Sequence, residues 1–268
     1  MPELPEVESA RAVIERSGLH RTIVDVDDTD AWECRPHGPG EIRDALVGHR
    51  LVAANRRGKS IWCELGGDAP SLGIHLGMSG RILVAGPDGE DEGGDYQGSR
   101  RQRRRPRKPE WYRFSLTFEG GGMLRLLDVR RLGRVRLDPD IGALGPDAAE
   151  ITRAGFRERV GRGTAPVKAR LLDQSTVAGV GNLLADEVLW QARLDPRRPS
   201  GDLTSEELDE LRRRLRSAVR TAIRQGGVHT LEIVGHRGRD GHCPRCGAEM
   251  ARATVGGRTT WFCPREQV

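Results

Sequence analysis

Residues 165–192, APVKARLLDQSTVAGVGNLLADEVLWQA, read as two apolar-faced helices broken at STVAGVGN (175–182). Apolar side chains recur at helical spacing on both sides of the break, and Gly179 and Gly181 permit a tight backbone turn between them. The stretch is a helix–turn–helix candidate. Downstream, Thr204 and Glu207 form a capping-box pattern ahead of Leu208, Leu211, Leu215, Val219 and Ile223, which share one face of a helix that ends at Gly226 and Gly227. Upstream, LGPDA (144–148) reads as a linker, and before it the pattern changes from helical to β.

The first half carries short β-type runs: TIVDVD (22–27), RLVAANRR (50–57), SIWCEL (60–65), LGIHL (72–76), RFSLTF (113–118) and MLRLLDV (123–129). Their Gly, Pro and Asp punctuation predicts an antiparallel sandwich or barrel. Between them AGPDGEDEGGDYQGSRRQRRRPRKPEW (85–111) is first acidic and glycine-rich, then nearly all Arg and Lys from Arg100 to Lys108. By composition this is a disordered loop, read either as a solvated surface insert or as a phosphate-binding arm. At the chain start, Val7, Ala10, Val13 and Ile14 recur at helical spacing from Pro5, and Gly18 is a suitable stop.

The chain has 268 residues, long enough for more than one domain. Its 44 Lys and Arg outnumber 39 Asp and Glu, for a net charge of +5, which points to a polyanionic partner. No stretch approaches the roughly 18 consecutive apolar residues of a membrane span. Glu3, Glu6 and Glu8 stand where a signal peptide would be basic, so no membrane association and a cytoplasmic location are expected. Of five cysteines, Cys243, Cys246 and Cys263 crowd the C-terminus at CxxC…C spacing. Thiolates at these intervals suit a tetrahedral zinc site better than a disulfide. A fourth ligand is due at 266, where the residue is Glu266.

Removal of Met1 would expose the secondary amine of Pro2, partly unprotonated near neutral pH. Such an amine can attack an aldehyde-level carbon, for example C1′ of a sugar, and form a charged imine that acts as an electron sink. Glu3 would then adjoin the nucleophile as a proton donor. Taken by itself, MPE reads far more readily as an incidental start whose glutamates favour the first turn of a helix.

The wider sequence weighs on that choice. MPELPEVE (1–8), RRGKS (56–60), HLGMSGR (75–81), DVRRLG (128–133), LGPD (144–147), DQSTVAGVGNLLADEVLW (173–190) and the terminal cysteines stand in the order found in formamidopyrimidine-DNA glycosylase and endonuclease VIII. The chain resembles that family of bifunctional base-excision repair enzymes over nearly its whole length. The resemblance implies an α+β fold: an N-terminal antiparallel β-sandwich preceded by a helix (1–143, with the basic insert at about 86–109), a helical domain with a helix–two-turn–helix (149–232), and a zinc-finger-like hairpin (233–268). It implies a monomer acting on damaged double-stranded DNA as glycosylase and abasic-site lyase, with one structural Zn2+.

Residue by residue, the resemblance implies that Pro2 is the Schiff-base nucleophile and Glu3 the general acid. Lys59 looks like the family's proton donor in strand cleavage and a phosphate contact. Met78, Arg130 and Leu132 fall where the family fills the gap left by the rotated nucleotide; Leu132 stands in place of an aromatic wedge, and an apolar wedge can still unstack a step. Asn182 matches the phosphate-binding asparagine, with Lys168 just upstream as a second DNA contact. Arg258 matches the hairpin arginine that grips the flanking phosphates and assists elimination. Without the resemblance, Lys59 and Arg130 would be read as surface charge, Met78 and Leu132 as β-domain core, and GVGN as a plain turn.

Three departures stand out. Glu266 replaces the fourth cysteine; it ranks first as zinc ligand, ahead of no stable metal and then of His242. The segment between Gly227 and Cys243 is short, where family members that act well on 8-oxoguanine carry a covering loop, so ring-opened purines, oxidised pyrimidines or hydantoins are the expected substrates. The family's histidine upstream of Arg130 has no counterpart, and the insert at 100–108 is extra. The competing reading is a non-catalytic binder of damaged or branched DNA that keeps the fold; a zinc-ribbon interaction protein would explain only the last thirty residues.

Overall fold

A computed structural model describes residues 2–87, 89–95 and 106–268. Arg100–Arg105 of the basic run therefore lie outside the described residues. The chain divides into two compact units, Pro2 with Glu6–Ile141, and Glu3–Pro5 with Gly142–Val268.

The first unit holds two antiparallel sheets. One has five strands in the order β1 (Ile23–Asp27), β7 (Tyr112–Phe118), β8 (Met123–Leu127), β5 (Arg81–Gly86), β6 (Gly89–Gly94); the other runs β2 (Leu51–Arg57), β3 (Ser60–Leu65), β4 (Leu72–His75), β9 (Arg134–Leu137). Alternate residues of both sheets, among them Ile23, Ile61, Ile74, Ile82, Phe114, Leu124 and Val135, meet in one apolar core. Helix α1 (Leu4–Ser17) adds Val7, Ala10, Val13 and Ile14 to that core, and a short helix α2 (Glu41–Leu46) adds Ile42 and Leu46. Each β-type run of the sequence is a strand, but β5, β6 and β9 add to them. Strand β6 lies inside the stretch expected to be disordered: it pairs with β5 from Arg81↔Gly94 to Gly86↔Gly89. Its carboxylates are neutralised by arginine, Asp91 by Arg16 (2.8 Å), Glu92 by Arg81 (2.7 Å) and Glu90 by Arg125 (2.6 Å), with Arg107 bridging Glu90 and Glu92.

The second unit is built from α3 (Arg153–Val160), α4 (Val167–Leu172), α5 (Asn182–Gln191), α6 (Ser205–Gln225) and a hairpin of β10 (Ala251–Val255) and β11 (Arg258–Phe262). The capping box forms, with the Glu207 N–H donating to the Thr204 hydroxyl and the Thr204 N–H to the Glu207 carboxylate. Leu208, Leu211, Leu215 and Val219 are buried, but Ile223 is 39% exposed, because Ala218 and Ala222 complete the packed face one turn before the helix end. The 144–148 stretch is not a loose linker. Ala148 is fully buried and exchanges backbone hydrogen bonds with the turn between α4 and α5, Ala148 N–H to Ala178 and Ala178 N–H to Pro146. No helix among the described residues is long and apolar enough to cross a membrane.

Candidate functional site

The chain start belongs by its contacts to the second unit. Glu3 is fully buried, and its carboxylate accepts the backbone N–H of Gly181 (3.0 Å), Leu183 (2.8 Å) and Leu184 (3.1 Å) at the N-terminus of α5. Unpaired N–H groups and the helix dipole make this end a natural seat for an anion, here filled by a residue 178 positions away. The Leu4 N–H donates to the Gly179 carbonyl at 3.2 Å. Gly179 has the left-handed φ of +110° expected of the turn, whereas Gly181 is extended, and its need for glycine is one of approach. A Cβ there would lie 2.3 Å from the Glu3 Cδ. Pro2, immediately before Glu3, is buried.

In the first unit the structure brings Met78 and Leu132 together. Met78 stands in the turn between β4 and β5, 37% exposed, and Leu132 in the loop between β8 and β9, 43% exposed; neither is core. Gly77 lets the two loops touch, since a Cβ on it would come within 2.4 Å of the Leu132 backbone. Arg130 is exposed on the same loop. Sequence reasoning missed what shapes this loop. The buried carboxylate of Asp128 accepts the N–H groups of Arg130 (3.0 Å), Leu132 (2.9 Å) and Gly133 (2.9 Å) and the Ser79 hydroxyl (2.5 Å), stitching the Met78 turn to it. Burial opposes a charge on Asp128, but these donors prevail and hold its carboxyl below the usual range. Lys59 follows Gly58 in the two-residue turn joining β2 to β3, half-buried.

Lys168 requires correction. Expected as a DNA contact, it is fully buried: its ammonium donates to Asp186 (2.6 Å) and to the Thr260 hydroxyl (2.7 Å). Asp186 also accepts from Arg237 at 2.8 Å. Burial lowers the lysine's affinity for its proton and Asp186 restores part of it. Lys168 thus ties α4 to α5 and β11 and presents nothing to a phosphate. Asn182, first residue of α5, donates from Nδ2 to the Thr259 carbonyl at 3.0 Å. This bond draws the exposed Arg258 at the start of β11 beside the α5 N-terminus.

The sulfurs of Cys243, Cys246 and Cys263 lie within 4.8 Å of one another. The Trp190 indole donates to Cys243 Sγ at 3.3 Å. Burial would raise the Cys243 thiol, yet that indole and the N–H groups of Cys246 and Arg245 hold it down to about 7. Burial and the neighbouring thiols push Cys263 up to about 11. One sulfur ionises readily and the next resists sharing the space, a crowding of thiolate charge that a divalent cation relieves, so the donor set fits Zn2+. Glu266 does not join it. Its carboxylate faces Arg245 (3.3 Å) and Arg193 (3.6 Å), and it is Gln267 that meets Cys263, accepting its N–H at 2.8 Å. His242 is exposed, its ring set on the Asp240 carbonyl.

The formamidopyrimidine-DNA glycosylase N-terminal domain matches residues 1–135, and the H2TH domain of the same enzymes matches residues 143–232. A formamidopyrimidine-DNA glycosylase from a Nocardioides species is 36% identical over 98% of this chain and 93% of its own length. One from Chloroflexus aurantiacus is 33% identical over 100% of this chain and 98% of its own. Among solved structures, Lactococcus lactis Fpg in complex with FAPY-dG-containing DNA superposes with a TM-score of 0.81 at 29% identity, covering 99% of both chains. The same enzyme with DNA containing an oxidised pyrimidine gives 0.81 at 29%, again over 99% of both.

Proposed function

Because the chain belongs to the formamidopyrimidine-DNA glycosylase and endonuclease VIII family, we propose that it is a base-excision repair DNA glycosylase that also cleaves the strand at the site it creates. The observation that carries this reading is Glu3, seated on three N–H groups of α5 with Pro2 covalently attached. A binding protein has no need to anchor its first residues by so distant a contact; a nucleophile does, since orientation of this kind is worth several kcal/mol of barrier.

With Met1 removed, the Pro2 nitrogen attacks C1′ of the damaged nucleotide. The N–C1′ bond forms, the C1′–base bond breaks with its electron pair going to the base, and the departing base takes a proton from water. Glu3, held as a carboxylate, receives the proton shed by the Pro2 nitrogen and delivers it to the sugar ring oxygen as the ring opens to the iminium. The iminium then withdraws electrons so that water removes the C2′ proton and the C3′–O bond breaks, the 3′ phosphate departing by elimination. Lys59 serves as proton donor in that step and Arg258 neutralises the flanking phosphates. Met78, Arg130 and Leu132 occupy the gap in the duplex, and Asn182 binds backbone phosphate. Cys243, Cys246 and Cys263 would hold a zinc ion whose contribution is structural, a cross-link between the turns that carry the hairpin.

Borohydride trapping on a duplex with a single abasic site tests the reading. A covalent adduct that vanishes in Pro2→Gly supports it. Intact binding without any adduct would overturn it in favour of a non-catalytic damaged-DNA binder.

A further inference from the structure

The segment between β1 and α2 packs Asp30, Trp32 and Glu33 against the 128–133 loop of the same unit. Asp30 accepts from Arg131 at 2.7 Å and lies 3.5 Å from the Arg113 guanidinium. The Trp32 indole donates to the Arg131 carbonyl at 3.0 Å, and the Val135 N–H to the Glu33 carbonyl at 2.9 Å. The Glu33 side chain is fully buried, and neither of its carboxyl oxygens has a hydrogen-bond donor among the described residues. Its carboxyl and that of Asp128 converge on one glycine: a Cβ at Gly133 would lie 2.7 Å from Glu33 Oε2 and 3.3 Å from Asp128 Oδ2.

Two carboxyl groups so placed in a dry interior cannot both ionise. Asp128 accepts four hydrogen bonds that favour its charge, and Glu33 has none from its surroundings, so the proton resides on Glu33. We propose that Glu33 is a positioning residue, a carboxylic acid that donates to the Asp128 carboxylate and thereby locks the Arg130–Leu132 loop in its DNA-entering shape. This rests on the roles given above to Arg130 and Leu132. The acids facing Glu33 act in one direction. Asp128 and Asp30 oppose its ionisation, and its own charge would in turn press on the Cys34 thiol. The cations at hand, Arg131 and Arg113, are already held by Asp30, and the Gly133 N–H is taken by Asp128. Burial first, then the charge of Asp128, raises the Glu33 carboxyl to about 8. The lock is therefore closed below that pH and opens as pH rises through it.

The test is affinity for a duplex bearing a tetrahydrofuran abasic analogue, which forms no imine, with 2-aminopurine opposite it to report unstacking. Between pH 7 and 9 the protonated fraction falls roughly tenfold, and apparent affinity and the unstacking signal fall with it. Glu33→Gln, whose amide replaces the donor, keeps both signals flat across that range. Equal alkaline losses in wild type and Glu33→Gln, or a flat wild type, would overturn the proposal. A 13C titration of the free wild-type protein checks it without any variant: a buried glutamate carboxyl titrating near 8, missing in Glu33→Gln, supports the lock, and none above the ordinary range refutes it. Failure of the glycosylase reading would look different, as no preference for the analogue over intact duplex at any pH.

Discussion

Gly181→Ala probes the seat of Glu3 with a single methyl group. The backbone there is extended, φ −118°, so alanine meets no conformational strain. The cost is collision, with the new Cβ 2.3 Å from Glu3 Cδ and 2.5 Å from Oε1. The carboxylate must leave, and three charge-assisted bonds of 2.8 to 3.1 Å break. Each is worth roughly 1.5–3 kcal/mol net, but bonds that share one carboxylate do not add in full, so the expected loss is on the order of 3 kcal/mol. Urea unfolding followed by tryptophan fluorescence measures it. Single-turnover excision should slow by on the order of a hundredfold, since about 1 Å of misplacement suffices for that. In a Glu3→Ala background the methyl group finds space and costs little, giving a coupling of about 2–3 kcal/mol. A Gly181→Ala protein within about 0.5 kcal/mol of wild type, with normal excision, would refute the idea that this contact places the chain start.

Lys168→Met leaves buried Asp186 with Arg237 as its remaining cation and should destabilise by on the order of 3 kcal/mol; the salt slope of DNA binding by the folded protein stays at the wild-type value, and a slope lower by about one would show that Lys168 does reach a phosphate. Glu266→Ala should retain one zinc per chain by plasma mass spectrometry while Cys246→Ala loses it; loss in Glu266→Ala would return the carboxylate to the ligand set. Deleting 98–105, which spares the Arg107 bridge to Glu90 and Glu92, should weaken binding to undamaged duplex and lower its salt slope by up to about 0.9 for each phosphate no longer neutralised, with lesion choice unchanged. Excision of 8-oxoguanine opposite cytosine should be slower than that of a ring-opened purine in the same duplex, and equal rates would dispose of the expectation drawn from the short 227–243 segment.

Local patterns were legible where one face of one element decides the outcome. The Thr204 capping box, the break at STVAGVGN and the β-branched strands are of that kind, because propensity and burial there agree. Strand β6 was hidden because GEDEGG has neither β-branched residues nor alternation; it pairs along β5, and arginines outside the stretch cancel its charge. Ile223 fails for a related reason, since periodicity cannot tell where neighbouring elements stop covering a helix. At the candidate site, residue types were readable but partners were not. Nothing near Lys168 in sequence announces that Asp186 and Thr260 enclose it, and nothing near Glu3 announces Gly181. Asp128 and Glu33 escaped notice because each acts through the backbone or a buried neighbour, and such roles leave no spacing to find.

The Glu3 contact also sets an order of events during synthesis. Pro2 and Glu3 are buried in the finished protein, so on the reading proposed above an aminopeptidase that releases Met1 to free the Pro2 nitrogen has to act before they are enclosed. The groups that enclose Glu3, Gly181 to Leu184, are made some 180 residues later, about 10–40 s at ordinary rates of elongation. The donors that seat Glu3 therefore do not exist until α5 has been made. A chain that stopped between Ile141 and α5 would lack the three N–H groups that hold Glu3, and on the reading proposed above its Pro2 would have no seat.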